Sequence, residues 1–257
     1  MSLTLTPAPG AARLPAMVAA QAGMEARLLL RNGEQLLLAV VIPLLVLVGG
    51  QQAGDLLDLG PGRRIDILTP GVMSLAVLST SFASVAISTG FERRYGLLKR
   101  LGASPLSRPA LLAGKVGAVL MVEVLQLGLI SVVAAALGWQ PHGGVRPVLF
   151  VVALVITGTL AFVALGLLMA GTLRAETTLA AANLGYLLLL GGGGVVVPLH
   201  RYPDGLQPLM ELLPSGALAE GTRDAFGGAA LGPGPLVVLV VWALVAGALT
   251  VRTFRWE

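Results

Sequence analysis

The sequence predicts an all-α, polytopic membrane protein with six transmembrane helices. Of its 257 residues, 56% are hydrophobic and only 12% are charged, whereas typical soluble domains carry about 25% charged residues. The apolar residues also fall in long runs, and a helix needs about 20 of them to cross a bilayer. The predicted spans are Leu36–Gly50, Leu68–Gly90, Leu111–Leu137, Val148–Leu173, Leu179–Val197 and Pro235–Val251.

The segment before these spans, residues 1–35, is predicted to carry an amphipathic helix over Leu14–Gln35. Its apolar stripe consists of Met17, Ala20, Met24 and Leu28. The helix is too polar to span a bilayer, so we expect it to lie in the cytoplasmic interface with Arg27 and Arg31 near the lipid headgroups. A solvated N-terminal helix is the alternative. Residues 36–257 then form the six-helix transmembrane domain.

The first two predicted spans differ in length and polarity. Leu36–Gly50 is short and contains Pro43, so it is expected to extend into the polar residues that follow. Leu68–Gly90 is long enough to span and carries a run of Ser and Thr. Such hydroxyls either bond helices together or line a semi-polar path. Ser81 and Ser84 are the candidates for lining a path.

The third predicted span contains Glu123 and Gln126. A charged side chain at mid-bilayer costs about 2.5–3.5 kcal/mol, so Glu123 should face protein or water. Both residues are therefore candidates for lining a substrate pathway. The alternative is that Glu123 is protonated or hydrogen-bonded to a neighbouring span and only orders the helix.

A long segment, 198–234, separates the last two predicted spans, and loops longer than about 12–15 residues are usually functional or disordered. Its first apolar stripe is Leu206, Leu209, Met210 and Leu213. Pro214 should break this helix and Ser215 can cap a second short one. The pair is predicted to form a hairpin that dips into the outer leaflet where protein covers its backbone. The alternative is a hairpin that lies on the surface and anchors it.

The charge distribution predicts the orientation of the chain, and its composition and motifs argue against several functions. Twelve of the 17 Lys and Arg residues fall inside if both termini are cytoplasmic, as the positive-inside rule requires. Cysteine is absent and the two histidines form no cluster, so no metal site is predicted. The basic residues border apolar spans, which argues against nucleic-acid binding. No phosphate loop, HExxH or GxSxG motif is present, so the chain is not expected to be an enzyme.

The most distinctive stretch is the basic loop between the second and third spans, FERRYGLLKRLGASPLSR at 91–108. Five basic residues and one acidic residue give it a net charge of +4. A helix is predicted from Phe91 to Leu101, with Gly102 and Pro105 ending it. Its apolar stripe is Phe91, Tyr95, Leu98 and Leu101. On charge alone, the loop is also explained as a topology signal of any polytopic protein.

The order of residues in this loop resembles the loop after the second span of ABC-2 type export permeases, E-R-E-x-G-T-L-[KR]-[KR]-L-x-A-[ST]-P followed by a basic residue. Tyr95 and Leu97 depart from that pattern. The hairpin before the last span is similar to the re-entrant pair of the same family. The resemblance implies a set of residues that couple to an ATPase: Glu92, Arg93, Arg94, Gly96, Leu98, Lys99, Arg100 and Leu101.

The resemblance also implies a function. The chain would be the permease subunit of an ABC exporter in the cell membrane, pairing with a second permease subunit as a homodimer or heterodimer. Two copies of a separate ATPase would hold ATP and Mg²⁺, so this chain would need no cofactor. The substrate would be an amphiphilic drug, antibiotic or lipid-linked molecule. A proton-coupled secondary transporter that uses Glu123 and a non-transporting membrane scaffold are the alternatives.

Overall fold

A computed structural model of the protein describes residues 12–33, 37–54, 59, 61–97 and 108–253. These residues form helices and turns, with no strand among them, which confirms the all-α class. The α-helices are α1 (Leu14–Arg31), α2 (Ile42–Gln52), α3 (Arg64–Leu78), α4 (Val85–Arg94), α5 (Arg108–Ala136), α6 (Val145–Thr172), α7 (Ala175–Gly192), α8 (Gln207–Glu211), α9 (Pro214–Gly227) and α10 (Gly234–Thr253).

In this part of the chain, four helices are long and apolar enough to cross a membrane. They cover Arg64–Arg94, Ala110–Ala136, Val145–Thr172 and Gly234–Thr253. The predicted first span corresponds to a shorter apolar helix, Ala39–Gln52, and the predicted fifth span to the 18 residues of α7. The multi-pass class therefore holds, while the number of six spans stays a prediction.

Two π-helical turns interrupt the regular helices. One, Leu37–Val41, precedes α2. The other, Ser79–Ser84, joins α3 to α4 inside a single helical rod of 31 residues. The carbonyl of Phe82 in this second turn lies against Gly166 of α6, where an added Cβ would approach it to 2.8 Å. The turn is thus a packing point between the second predicted span and α6.

Helix α1 packs along α5 and buries its small and polar side. Gln21, Ala22 and Ala26 are buried, whereas Met24 and Leu28 of the predicted apolar stripe are exposed. The helix ends at Arg31, short of the predicted Gln35, because Asn32 adopts an extended conformation. Residues 34–36 lie outside the described residues. The exposed stripe is available to lipid, as an interfacial helix requires.

Helix α9, in the long segment before α10, lies inside the bundle. It packs against α3, α6 and α10, and most of its residues, from Pro214 to Phe226, are buried. Pro214 occupies the first turn, where its missing N–H costs nothing. The residue at the N-cap is Leu213 and no side chain caps the helix, so the predicted cap by Ser215 is wrong. The first helix of the predicted hairpin is only the five residues of α8.

Candidate functional site

The end of α4 carries the first three of the predicted coupling residues and contacts the turn between α6 and α7. The guanidinium of Arg93 donates to the carbonyl of Leu173. Arg94 forms an ion pair with Glu176, in the first turn of α7. These two arginines, predicted to meet an ATPase, therefore also hold the α6–α7 corner against α4.

The remaining residue of these three, Glu92, points inward and contacts Lys115 of α5. The Nζ of Lys115 lies 2.7 Å from Oε2 and 3.1 Å from Oε1 of Glu92. The same Nζ lies 3.3 Å from Oε2 of Glu25, on α1. Oε1 of Glu25 accepts a hydrogen bond of 2.7 Å from Nε2 of Gln21. One lysine of α5 thus joins this helix to both α1 and α4.

Lys115, Glu25 and Glu92, which we call the ion group, are buried. The side chain of Lys115 is 4% exposed, that of Glu25 14% and that of Glu92 22%. Burial of a charge is costly unless it is paired and hydrogen-bonded, which is why a lysine at this depth requires its carboxylate partners. Burial also raises the pKa of the Glu25 carboxyl, and the nearby Lys115 cation offsets this only in part.

Two glycines of α5 allow α1 to approach closely enough for this pairing. A Cβ added at Gly114 would lie 2.6 Å from Cγ and 2.9 Å from Cβ of Gln21. A Cβ added at Gly117 would lie 3.1 Å from Cβ of Ala22. The absence of side chains at these positions brings Glu25 within reach of Lys115.

We call this group the basic-end junction. It consists of Glu25, Glu92, Arg93, Arg94, Lys115, Leu173 and Glu176. Through it, the last turn of α4 is connected to α1, α5, α6 and α7. A displacement of α4 at this point would therefore act on all four of these helices.

The prediction of one continuous helix from Phe91 to Leu101 is wrong. Helix α4 ends at Arg94, and the chain turns at Tyr95 and Gly96. Gly96 has a φ of +69°, a left-handed conformation in which glycine commonly ends a helix. The other predicted coupling residues, Leu98, Lys99, Arg100 and Leu101, lie outside the described residues.

The two pathway candidates of α5 are buried within the chain. Glu123 is 1% exposed and its Oε2 accepts a hydrogen bond of 2.6 Å from Thr159 of α6. Its Oε1 has no hydrogen-bond partner among the described residues. Gln126 donates to the carbonyl of Ala39 and accepts a bond of 3.0 Å from Thr80. Because these partners lie in the two π turns, Gln126 bridges the turns.

The two serine candidates differ in burial. Ser81 is buried and donates a 2.5 Å hydrogen bond to the carbonyl of Val77, in its own helix. Ser84 is half-buried. Of the other hydroxyls of this span, Ser74 lies 3.0 Å from Thr222 of α9. The bonds of Ser74 and Thr80 favour the interpretation that these hydroxyls join helices, and the lining of a path stays a prediction.

Four residues of the junction were not predicted as site residues: Glu25, Lys115, Leu173 and Glu176. Glu25, Lys115 and Glu176 belong to no motif, and their pairing depends on how the helices pack. One signal was available: a lysine within an apolar span requires a carboxylate partner, and Glu92 lies just after the preceding predicted span. Among the described residues, no group of three or more potential ligands is placed to hold a metal ion.

Comparison with known proteins agrees with the resemblance of the basic loop. A family model described as ABC-2 type transporter matches residues 20–226. This range contains the whole basic-end junction, the two π turns and most of α9. A comparison with curated proteins finds no match. The family model covers well over half of the sequence, so the chain belongs to the ABC-2 type transporter family, as a membrane permease component and not a nucleotide-binding subunit.

Proposed function

We propose that this permease exports an amphiphilic substrate, a drug, antibiotic or lipid-linked molecule, from the cytoplasm or the inner leaflet. In this proposal two permease subunits pair, and two copies of an ABC ATPase bind at their basic loops and supply ATP hydrolysis with Mg²⁺. Both termini and the basic loops face the cytoplasm. Membership of the family supports an ATPase partner. The copy numbers, the direction of transport and the substrate are parts of the proposal.

The observation that supports this proposal most is the basic-end junction. Arg93 and Arg94 attach the end of α4 to the α6–α7 corner, and Glu92 attaches it to α5 and, through Lys115, to α1. A push on the adjoining loop from a closing ATPase would move these elements as one body. Allosteric coupling of this kind needs such a physical connection between two sites.

The basic loop supports docking of the ATPase by charge and apolar contact. Tyr95 and Leu97 are 72% and 41% exposed, and Lys99 and Arg100 follow them in sequence. Exposed aromatic and leucine side chains can fill a groove on a partner, and cations at the rim can pair with acidic groups there. The loop would therefore bind an acidic surface of the ATPase.

The test separates docking from the internal junction. The full chain is purified with its ATPase in three forms: wild type, Lys99→Glu with Arg100→Glu, and Arg146→Glu. Arg146 is exposed near the start of α6, whereas the basic-end junction contacts the end of that helix, so its variant is a charge-reversal control away from the loop. We expect the double variant to lose copurifying ATPase while the control retains it. ATPase recovery equal in all three forms would contradict docking at the basic loop.

A second experiment distinguishes the proposal from a proton-coupled transporter based on the buried carboxylate of Glu123. Transport is measured in vesicles that contain the permease and its ATPase, either with ATP or with a pH gradient alone. ATP should be required, and Glu123→Gln should retain most of the transport. Uptake driven by the pH gradient without ATP, and abolished by Glu123→Gln, would favour the alternative.

A further inference from the structure

A cavity of about 270 Å³ lies between α1, α4 and α5, beside the ion group of Lys115. Glu25, Glu92 and Lys115 all line it. Leu28, at its edge, is 59% exposed, so the cavity is open on that side. None of the roles proposed above uses this space.

The hydrogen-bonding capacity around the cavity is unequal. Lys115 has three N–H donors, and its Nζ already makes three contacts with carboxylate oxygens. The two carboxylates offer about four lone-pair sites each. They accept these three contacts and one bond from Gln21. Among the described residues, the donors of Lys115 are therefore used, whereas acceptor sites of the two carboxylates remain.

The charge of the group leads to the same conclusion. Two carboxylates and one ammonium leave a net charge of −1 when all three are ionised. An anion entering the cavity would meet Glu25 and Glu92 and would find no unused donor on Lys115. A cation with N–H donors would find both negative charge and free acceptor sites. Complementary charge of this kind determines which ligand is accepted.

The remaining walls are mostly apolar. Leu28 and Leu29 of α1 face Val85 of α4 and Val119 of α5 across the cavity. The volume is slightly below the about 300–1,000 Å³ of common small-molecule sites, so the cavity fits a headgroup rather than a whole lipid. An attached chain would leave on the open side, along Leu28 and the exposed stripe of α1.

We propose that this cavity is a binding site for a cationic amphiphile, with its primary ammonium group on the carboxylates of Glu25 and Glu92 and its apolar chain along α1. The site goes beyond the proposed export function, because binding requires neither ATP nor the ATPase. It serves either a soluble alkylamine or the ammonium group of a membrane lipid, since both present the same chemistry.

Binding is measured on the full-length permease in phosphatidylcholine nanodiscs, with empty nanodiscs as the background. The probes are dodecylamine, dodecanol and dodecanoate, which differ only in headgroup charge. We expect dodecylamine to bind about tenfold or more tightly than the other two, as charge-assisted hydrogen bonds at a buried site require. Equal binding of dodecylamine and dodecanoate would overturn the proposal.

Two variants locate the binding. Glu25→Gln makes the ion group neutral, and Ser88→Leu fills the cavity, which Ser88 lines, without changing the charge. Both should weaken dodecylamine binding about tenfold. Glu211→Gln, an exposed carboxylate of α8, is the control and should bind as wild type does. Wild-type affinity in both Glu25→Gln and Ser88→Leu would also overturn the proposal, since the two variants disturb the site by different means.

The same assay identifies the source of the ligand. Nanodiscs are prepared with phosphatidylethanolamine in place of part of the phosphatidylcholine. If the lipid occupies the cavity, dodecylamine binding falls in proportion to its content, and the fall disappears in Ser88→Leu. If dodecylamine binding is unchanged, a soluble amine is the ligand. Both results support an ammonium site and assign its occupant.

Discussion

Two buried cations hold the two ends of this permease, and they do so in different ways. Lys115 lies at the end where the basic loop joins α4 to α5, and its partners Glu25 and Glu92 come from two other helices. Arg223 of α9 lies at the opposite end. Its guanidinium pairs with Glu220 of the same helix at 2.6 Å and donates to the carbonyl of Val195 at 2.7 Å.

The difference lies in what each cation connects. At the Arg223 end, the guanidinium contacts Glu220, one helical turn away, and a backbone carbonyl. Glu220 also accepts a hydrogen bond from the N–H of Leu199. Such contacts fix α9 to the segment between α7 and α8. At the Lys115 end, the contacts join side chains from separate helices and depend on charge. We infer that the Lys115 end links separate helices to one another, whereas the Arg223 end only fixes α9 in place.

The strongest test of this comparison is Lys115→Met. The substitution keeps the volume but leaves Glu25 and Glu92 facing each other with no cation. Removing one partner of a buried ion pair costs about 3–5 kcal/mol. We expect a large fall in the thermal unfolding temperature of the purified chain, and Lys115→Arg should recover most of it. A Lys115→Met chain as stable as wild type would show that the ion group contributes nothing to stability.

Arg223→Met tests the other end. The carbonyl of Val195 would lose its donor, and an unsatisfied buried polar group costs about 1–3 kcal/mol. Glu220 would also lose its ion pair, but it is only one carboxylate and keeps its bond from the N–H of Leu199. The loss of stability should therefore be smaller than for Lys115→Met, which leaves two carboxylates without their cation. Unfolding temperatures of the two variants, measured in the same detergent, give the order. The reverse order would contradict the distinction between the two ends.

Gly114→Ala tests how closely α1 must approach α5. The added Cβ would meet Gln21 at 2.6 and 2.9 Å, and overpacking costs about 1–3 kcal/mol. Gly128→Ala is the control on the same helix, since nothing lies within 4 Å of its added Cβ. The free energy of unfolding of that variant should rise by up to about 1 kcal/mol, because alanine has a higher helix propensity than glycine. If the two variants unfold alike, contact between α1 and α5 does not support the Lys115 end.

The smallest expected effect is the pH dependence of Glu25→Gln. The pKa of Glu25 is raised in the folded chain, so its contribution to stability is complete below pH 4.5 and is lost as the pH rises through the raised pKa. The glutamine variant lacks this titration. Its unfolding temperature should therefore rise relative to that of wild type as the pH rises above 4.5. Parallel curves would mean that Glu25 titrates alike in the folded and unfolded chains.

Long apolar runs made the main helices predictable. The predicted third, fourth and sixth spans agree with α5, α6 and α10 within three residues at each end, because length and hydropathy alone define such helices. The π turns were not predictable, since their Ser-rich residues also suit a regular helix. The turn at Gly96 was missed because the stripe through Tyr95 and Leu98 has helical spacing, and a glycine inside such a pattern is compatible with either course.

The candidate site was predicted only in part. Glu92, Arg93 and Arg94 were found from the motif, but their contacts with Lys115, Leu173 and Glu176 were not. These contacts join residues 23 to 82 positions apart, and no local pattern records which helices become neighbours. The same reason explains why the bridge of Gln126 between the two π turns could not be foreseen.

The π turn Ser79–Ser84 also determines the rotational phase of the residues that follow it. Such a turn holds one residue more than the α-helical turn that it replaces, and each residue of an α-helix advances about 100° around the axis. Glu92 lies after the turn, on α4. Deleting one residue from the turn would swing its carboxylate through more than a quarter of a circle, away from Lys115. One surplus amino acid, more than two helical turns away, thus aims this carboxylate at its lysine.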